Sequence, residues 1–226
     1  MSVAAMIKPF LLRGAAAAAL AVAMSIGVGL APAPLSSIAY ADARNIAAEQ
    51  FVQVQAQRAL DILSQHQGEP AVEKRLFRGF VDDVADVPRI TNFVLGKYAR
   101  IITPAQHQAF AAVFRQYAAN VYESRLSDYH GETMKVTGSV ARTPTDIIVA
   151  SQVSGGKLDQ PVKVYWRVLG ENGGWRVVDV QVSGVWLAIT EQQDFVSTTD
   201  NAGGNIDVLI GQLQKQVAKG EETARR

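Results

Sequence analysis

Two hydrophobic periods divide this chain. Through most of the first 129 residues apolar side chains return every three or four positions; from Met134 they alternate with polar ones; after Ile189 the helical spacing resumes. The first helical stretch covers residues 44–65, with Ile46, Val52, Ala56, Ala59, Leu60 and Leu63 on one stripe. Gln67-Gly68 and Pro70 stop it, and a second helix spans 71–85 with Val72, Leu76, Phe77, Phe80, Val81 and Val84 on its apolar face. A third, short helix follows Pro88, with Asp86 as its cap and Gly96 at its end. Thr103-Pro104-Ala105-Gln106 then spells a helix start: a capping Thr, Pro at the first helical position and Gln reaching back from the third. Phe110, Val113, Phe114, Tyr117 and Val121 carry that helix on toward Tyr129, and Gly131 closes it.

The alternating part predicts four strands. Met134, Val136 and Gly138 begin the first; residues 146–154 hold Ile147, Ile148, Val149 and Val153; Val162, Val164, Trp166 and Val168 alternate with Lys163, Tyr165 and Arg167; and Trp175, Val177 and the stretch from Asp179 to Val185 form the fourth. Gly155-Gly156 and Asn172-Gly173-Gly174 are the turns. Successive strands with short glycine turns imply an antiparallel meander, and such a sheet has a face for the helices to cover. Two helices end the chain: one at Ile189–Val196 and one carrying Ile206, Leu209, Ile210, Leu213 and Val217, capped by Asn205 or Asp200. The fold class is therefore α+β: a twisted antiparallel sheet covered by N-terminal and C-terminal helices.

The first 41 residues do not belong to that fold. Lys8 and Arg13 are their only basic residues, Gly14 to Leu30 is almost wholly apolar, and Ala39-Tyr40-Ala41 has the small-x-small form of a cleavage site, with Ala31-Pro32-Ala33 upstream of it. That layout is a secretory signal peptide, which implies a periplasmic protein; the rival reading is an uncleaved membrane anchor, for which the 17-residue, Ala-rich apolar run is short. The mature chain is then one domain, 42–219, with a fraying tail at 220–226. The whole chain has 22 basic and 21 acidic residues, and the leader holds two of the basic ones, so the mature protein is close to neutral. No strong field points to nucleic acid. There is no Cys, hence no disulfide, no thiolate metal site and no thiol nucleophile.

Chemistry is sparse. His66, His107 and His130 share no metal-ligand template; His130 near Asp128 and Glu132 is the best of them, and a solvated helix end explains it. Asp82, Asp83 and Asp86 are the one cluster of carboxylates that a hydrolase would use, provided a His or Ser stood beside them. No Gly-x-Ser-x-Gly elbow and no phosphate-binding glycine loop occurs. The chain reads as a non-enzyme without cofactor or metal. What it has in quantity is rings: Trp166, Trp175, Trp186, Phe110, Phe114, Tyr117 and Tyr165. They fill a core or wall a pocket for an apolar ligand.

Several of these stretches, in order, resemble the MlaC family of periplasmic proteins, also known as toluene-tolerance Ttg2-type proteins. The segment Phe93-Val94-Leu95-Gly96-Lys97-Tyr98-Ala99-Arg100 is similar to the family's "vLGryWr" motif, and Thr103 to Gln106 followed by Phe110 and Phe114 to its next helix, with Tyr117 and Tyr122 near its usual tyrosines. Val164-Tyr165-Trp166 and Trp175 to Val180 resemble its strands, Gly184 to Leu187 its turn, and Phe195 with Gly204 to Leu213 its ending. The resemblance covers about residues 43–215. It departs at Trp186, where the family commonly has Ser, and at Glu191-Gln192-Gln193-Asp194, where an Arg is often found.

The resemblance implies a phospholipid carrier working between an outer-membrane lipoprotein and an inner-membrane ABC transporter complex. Two acyl chains would lie in a cavity between sheet and helices. Phe93, Phe114, Tyr117, Val149, Val164, Trp166 and Val177 are the residues expected to line or border it, and Arg100 and Arg167 are candidates to meet a phosphate at its mouth. The added tryptophans also suit a polycyclic, hopanoid-type lipid. A non-carrier envelope scaffold, with its rings sealed in a core, is the reading from a different class.

Overall fold

A computed structural model describes residues 44–66, 68–126 and 129–224, all within one compact unit. The leader and Asp128 lie outside these residues. Helix α1 (Ile46–Gln65) starts at Asn45, whose side-chain oxygen accepts from the Ala48 backbone N–H at 2.9 Å. Helix α2 (Pro70–Val84) starts at Pro70 itself. The proline that ends the preceding pattern thus begins the next helix, because its missing N–H and fixed φ suit the first helical position. After α2 the chain extends: Ala85 bridges to Val177, and the Asp86 N–H donates to the Val177 carbonyl at 2.9 Å. Asp86 then caps α3 (Val87–Leu95), accepting from the Arg89 N–H at 3.0 Å.

A 3-10 turn (Gly96–Arg100) leads to α4 (Pro104–Leu126). The capping box is formed as the sequence spells it: the Gln106 N–H donates to Thr103 Oγ1 at 3.2 Å and the Thr103 N–H to Gln106 Oε1 at 3.1 Å. Strands β1 (Glu132–Thr143), β2 (Asp146–Gly155), β3 (Val162–Glu171), β4 (Gly174–Val182) and β5 (Val185–Trp186) form one antiparallel meander in chain order. The fourth predicted strand is two strands. Ser183 (φ 51°) and Gly184 (φ 87°) make a two-residue turn inside it, and left-handed backbone at both positions is what a tight hairpin requires.

Helix α5 (Leu187–Asn201) begins two residues before the expected start at Ile189 and continues past Val196. Its start is fixed from outside the helix. Asp179 of β4 accepts from the Ala188 N–H at 2.9 Å, so a strand carboxylate serves as the cap. Helix α6 (Ile206–Ala224) is capped by Asn205, which accepts from the Asp207 N–H at 3.0 Å; the last two residues of the segment expected to fray, 225–226, lie outside the described residues. Asp200, the other candidate cap, instead pairs with Lys97 at 2.7 Å and accepts from the Tyr98 hydroxyl.

The strand register assigns the faces. Ile147, Val168 and Val177 lie side by side, then Ser139, Val149, Trp166 and Val180, then Val136, Ser151, Val164 and Val182. This inner face meets α1 and the end of α2, and Ala48, Val52 and Val84 close over Ile147, Val149 and Val168. A second core joins the remaining helices: Val94, Leu95 and Tyr98 pack with Phe110, Phe114, Phe195, Ile206 and Leu213. The apolar material is therefore in two clusters, one under α1 and α2 on the sheet and one among α3 to α6.

Candidate functional site

The inner face of the sheet is unevenly covered. At one end Ile147, Val149 and Val168 are fully buried. Along the same face toward the β2–β3 and β4–β5 turns, Trp166, Val180, Val153 and Val162 are only half-buried and Val182 is exposed. From the helix side Phe51 and Phe80 reach the same cluster, also half-buried, and Phe80 packs on Phe77 with ring centroids 5.8 Å apart. A seam lined on both sides by incompletely buried apolar groups is a place where a further apolar group lowers the free energy by leaving water.

Polar atoms in this seam are few and mostly satisfied. Ser151 is buried at its centre; its hydroxyl donates to the Val164 carbonyl at 3.0 Å and accepts from the Trp166 indole N–H at 2.9 Å. That bond ties the Trp166 indole on β3 to Ser151 on β2. On α1, Gln53 holds the sheet edge: its amide donates to the Met134 carbonyl at 3.3 Å and accepts from the Val136 N–H at 3.0 Å. One turn above Phe51 on the helix, Gln55 Oε1 is buried with no hydrogen-bond partner. Such an acceptor is costly in an apolar setting unless a donor arrives. At the N-terminus of α1 the carboxylate of Glu49 is buried but fully paired, with Arg44 at 2.9 and 2.5 Å and the Ser139 hydroxyl at 2.8 Å. The Arg44 hydrogen bond holds its pKa below the ordinary carboxylate range.

Of the residues expected to line a cavity, Val149, Trp166 and Val177 come together in this seam, and Val164 is buried beside Ser151 on the same face. Phe114 and Tyr117 lie in the other cluster: Phe114 stacks on Phe110 at 5.7 Å and meets Phe195 edge-on, and Tyr117 packs on Phe195 at 6.1 Å. Phe93 is at the surface end of α3 and 36% exposed, and Arg100 is exposed at the end of the 3-10 turn. Arg167 points from the opposite face of the sheet and is held by Asp146 in a two-pronged pair at 3.0 and 2.9 Å. Sequence reasoning missed Phe51, Phe80 and Val180 as seam residues. It also missed Glu191, which faces the Tyr117 hydroxyl at 3.2 Å between α4 and α5 and whose pKa burial pushes up to about 7.

The acidic run does not assemble. Asp82 pairs with Arg115, Asp83 with Arg58 at 2.8 Å, and Asp86 with Arg89 at 2.8 Å, each turned to a different partner. His130 uses its backbone N–H on Glu132 at 2.8 Å, and among the described residues no three His, Cys, Asp or Glu converge in a metal-binding group.

The family model described as MlaC protein matches residues 53–215, from the middle of α1 to α6. The chain belongs to the MlaC family. It is 26% identical over 143 residues to the toluene tolerance protein ttg2D of Pseudomonas putida, a match that takes in 62% of this chain and 66% of that protein. The chain thus spans just under two thirds of that relative. A solved structure, a phospholipid-binding protein from Ralstonia solanacearum in complex with a phospholipid, is similar with a TM-score of 0.62 and 26% identity. This similarity covers 75% of the chain and 98% of the Ralstonia protein, so the two share the fold nearly throughout the latter's length.

Proposed function

We propose that this MlaC-family protein is a periplasmic phospholipid carrier, holding acyl chains in the seam between the inner sheet face and α1–α2. The observation that carries this reading is that seam: an apolar sheet face, half-covered, in a fold shared with a protein solved with a phospholipid. Each methylene taken out of water contributes about 0.8 kcal/mol, so two acyl chains supply ample driving force even if the seam covers only part of them. Val149, Val164 and Val177 form the rigid floor, and Trp166, Val180, Phe51 and Phe80 form the walls that shift to admit a chain. Gln55 offers an otherwise unpaired acceptor to a hydroxyl or ammonium of the bound molecule. Delivery between an outer-membrane lipoprotein and an inner-membrane ABC transporter complex then follows from the partners' relative affinities for the same lipid.

Brominated acyl chains test the placement directly. In a variant carrying Trp175→Phe and Trp186→Phe, Trp166 is the one remaining indole of the three. Phospholipid brominated along its chains should quench Trp166 fluorescence on binding, while lipid brominated only at the head group should not. Equal quenching by both, or none by either, contradicts the seam assignment.

A further inference from the structure

The outer face of the sheet, opposite the seam, carries a feature that lipid binding does not use. Between β1, β2 and β3 there is a recess of about 260 Å³ whose lining includes Gly138, Val140, Ile148, Ala150 and Tyr165. It exists because two small residues face each other in the middle of long strands: Gly138 pairs with Ala150, and Tyr165 pairs with Ala150 from the other side. The β-bulge between Val136 and Gly138 bends β1 beside it. A glycine inside a strand costs stability and commonly marks close approach by another molecule. Among the described residues nothing takes up the space beside Gly138: a Cβ there would meet only Arg44 Nε, at 4.0 Å. Val140, on the edge strand, is 62% exposed next to it.

Register also places charge on both sides of the recess. The row on one side is Lys135, Gln152 and Lys163, with both lysines exposed. On the other side stand Arg142 and Arg167, with Asp146 between them at 3.3 and 2.9 Å. Four cations thus bracket an apolar hollow against two carboxylates, Asp146 and the Asp179 that stands opposite Arg167 in register, on a protein that is close to neutral as a whole. The hollow is concave, so its partner must be convex. A membrane surface would instead be met by protruding apolar side chains.

We propose that this outer recess is a docking site for an acidic protein segment that seats one aliphatic or aromatic side chain on Gly138 and Ala150 and sets carboxylates against Lys135, Lys163 and the Arg142–Arg167 pair. Charge of this kind governs encounter rate and partner choice, and the apolar side chain gives the register. The site is on the opposite face from the seam and stands whether or not the seam holds lipid.

The test uses the mature protein and the peptide acetyl-Glu-Glu-Phe-Glu-Glu-amide, followed by backbone NMR. Shifts should concentrate on residues 135–142, 148–152 and 163–167, and binding should weaken at least tenfold in the Lys135→Glu, Lys163→Glu double variant. It should weaken similarly in Gly138→Leu, which fills the hollow from a position with ordinary backbone angles. If Gly138→Leu fails to fold, Ala150→Leu is the substitute. A lysine-flanked control peptide should not bind. Absence of shifts on this face at millimolar peptide, or shifts unaffected by these variants, overturns the proposal. So does a result in which vesicles of phosphatidylglycerol and phosphatidylethanolamine, but not the peptide, perturb these residues.

Discussion

Glu191 shows how one side chain can carry an environment that the sequence hides. Its carboxyl is half-buried between α4 and α5; desolvation raises its pKa to about 7, the Tyr117 hydroxyl opposes that rise, and Asp194 adds to it. Because the folded-state pKa lies above the unfolded value, the contribution to stability is fully present below about pH 4.5 and is lost as pH rises through about 7. Stability should therefore fall between pH 5 and 8, and Glu191→Gln should flatten that fall and raise stability at pH 8 by ~1–2 kcal/mol, allowing for partial exposure. Chemical denaturation at several pH values measures it. Ser151 is the second case. Its hydroxyl serves both Val164 and Trp166, so Ser151→Ala should cost ~1–2 kcal/mol, whereas pairing it with Trp166→Phe should recover part of the loss because no indole N–H is then stranded. Neither role is readable from the chain: the alternating pattern puts Ser151 on the inner face but says nothing of a bond to the next strand.

At the scale of elements, the sequence is most informative where a motif is local. The Thr103–Gln106 box and the Asp86 cap are formed as spelled, since each needs only four consecutive residues. It is less informative where a boundary is set from afar. Helix α5 starts at Leu187 because Asp179, nine residues upstream on β4, binds the Ala188 N–H; burial raises the pKa of that carboxyl while its backbone hydrogen bonds lower it. Asp179→Ala should cost ~1–2 kcal/mol and loosen the first turn of α5, seen as faster amide exchange at Ala188 and Ile189, and Asp179→Asn should retain most of the cap. Gly96 joins α3 to the 3-10 turn at φ 56°, and a Cβ there would lie 2.7 Å from Val196 Cγ2 of α5. Gly96→Ala should therefore cost about 2 kcal/mol or more by thermal melting, through backbone strain and contact with α5 together.

At the scale of the whole molecule, the sheet order and the helical cover are legible in the sequence, because periodicity and short glycine turns define a meander almost uniquely, and the family resemblance is carried by the order of its motif segments. The division of the rings was not. Helical spacing gives Phe114 and Tyr117 a buried face, yet it does not say whether that face meets the sheet or other helices; α5 and α6 take it, and the two form a core with α4. Strand alternation likewise put Arg167 on the face opposite Trp166, so a guanidinium next to an indole in sequence is across the sheet from it in space. Phe51 and Phe80 pack against the sheet cluster from the helix side, a position that depends on how α1 and α2 cross the sheet. The central claim is that this seam holds lipid. Native mass spectrometry of the mature protein isolated from the periplasm, followed by organic extraction and lipid analysis, tests it most directly. The account predicts one bound diacyl phospholipid per protein. Protein that is reproducibly free of lipid and takes up none from added vesicles would contradict it.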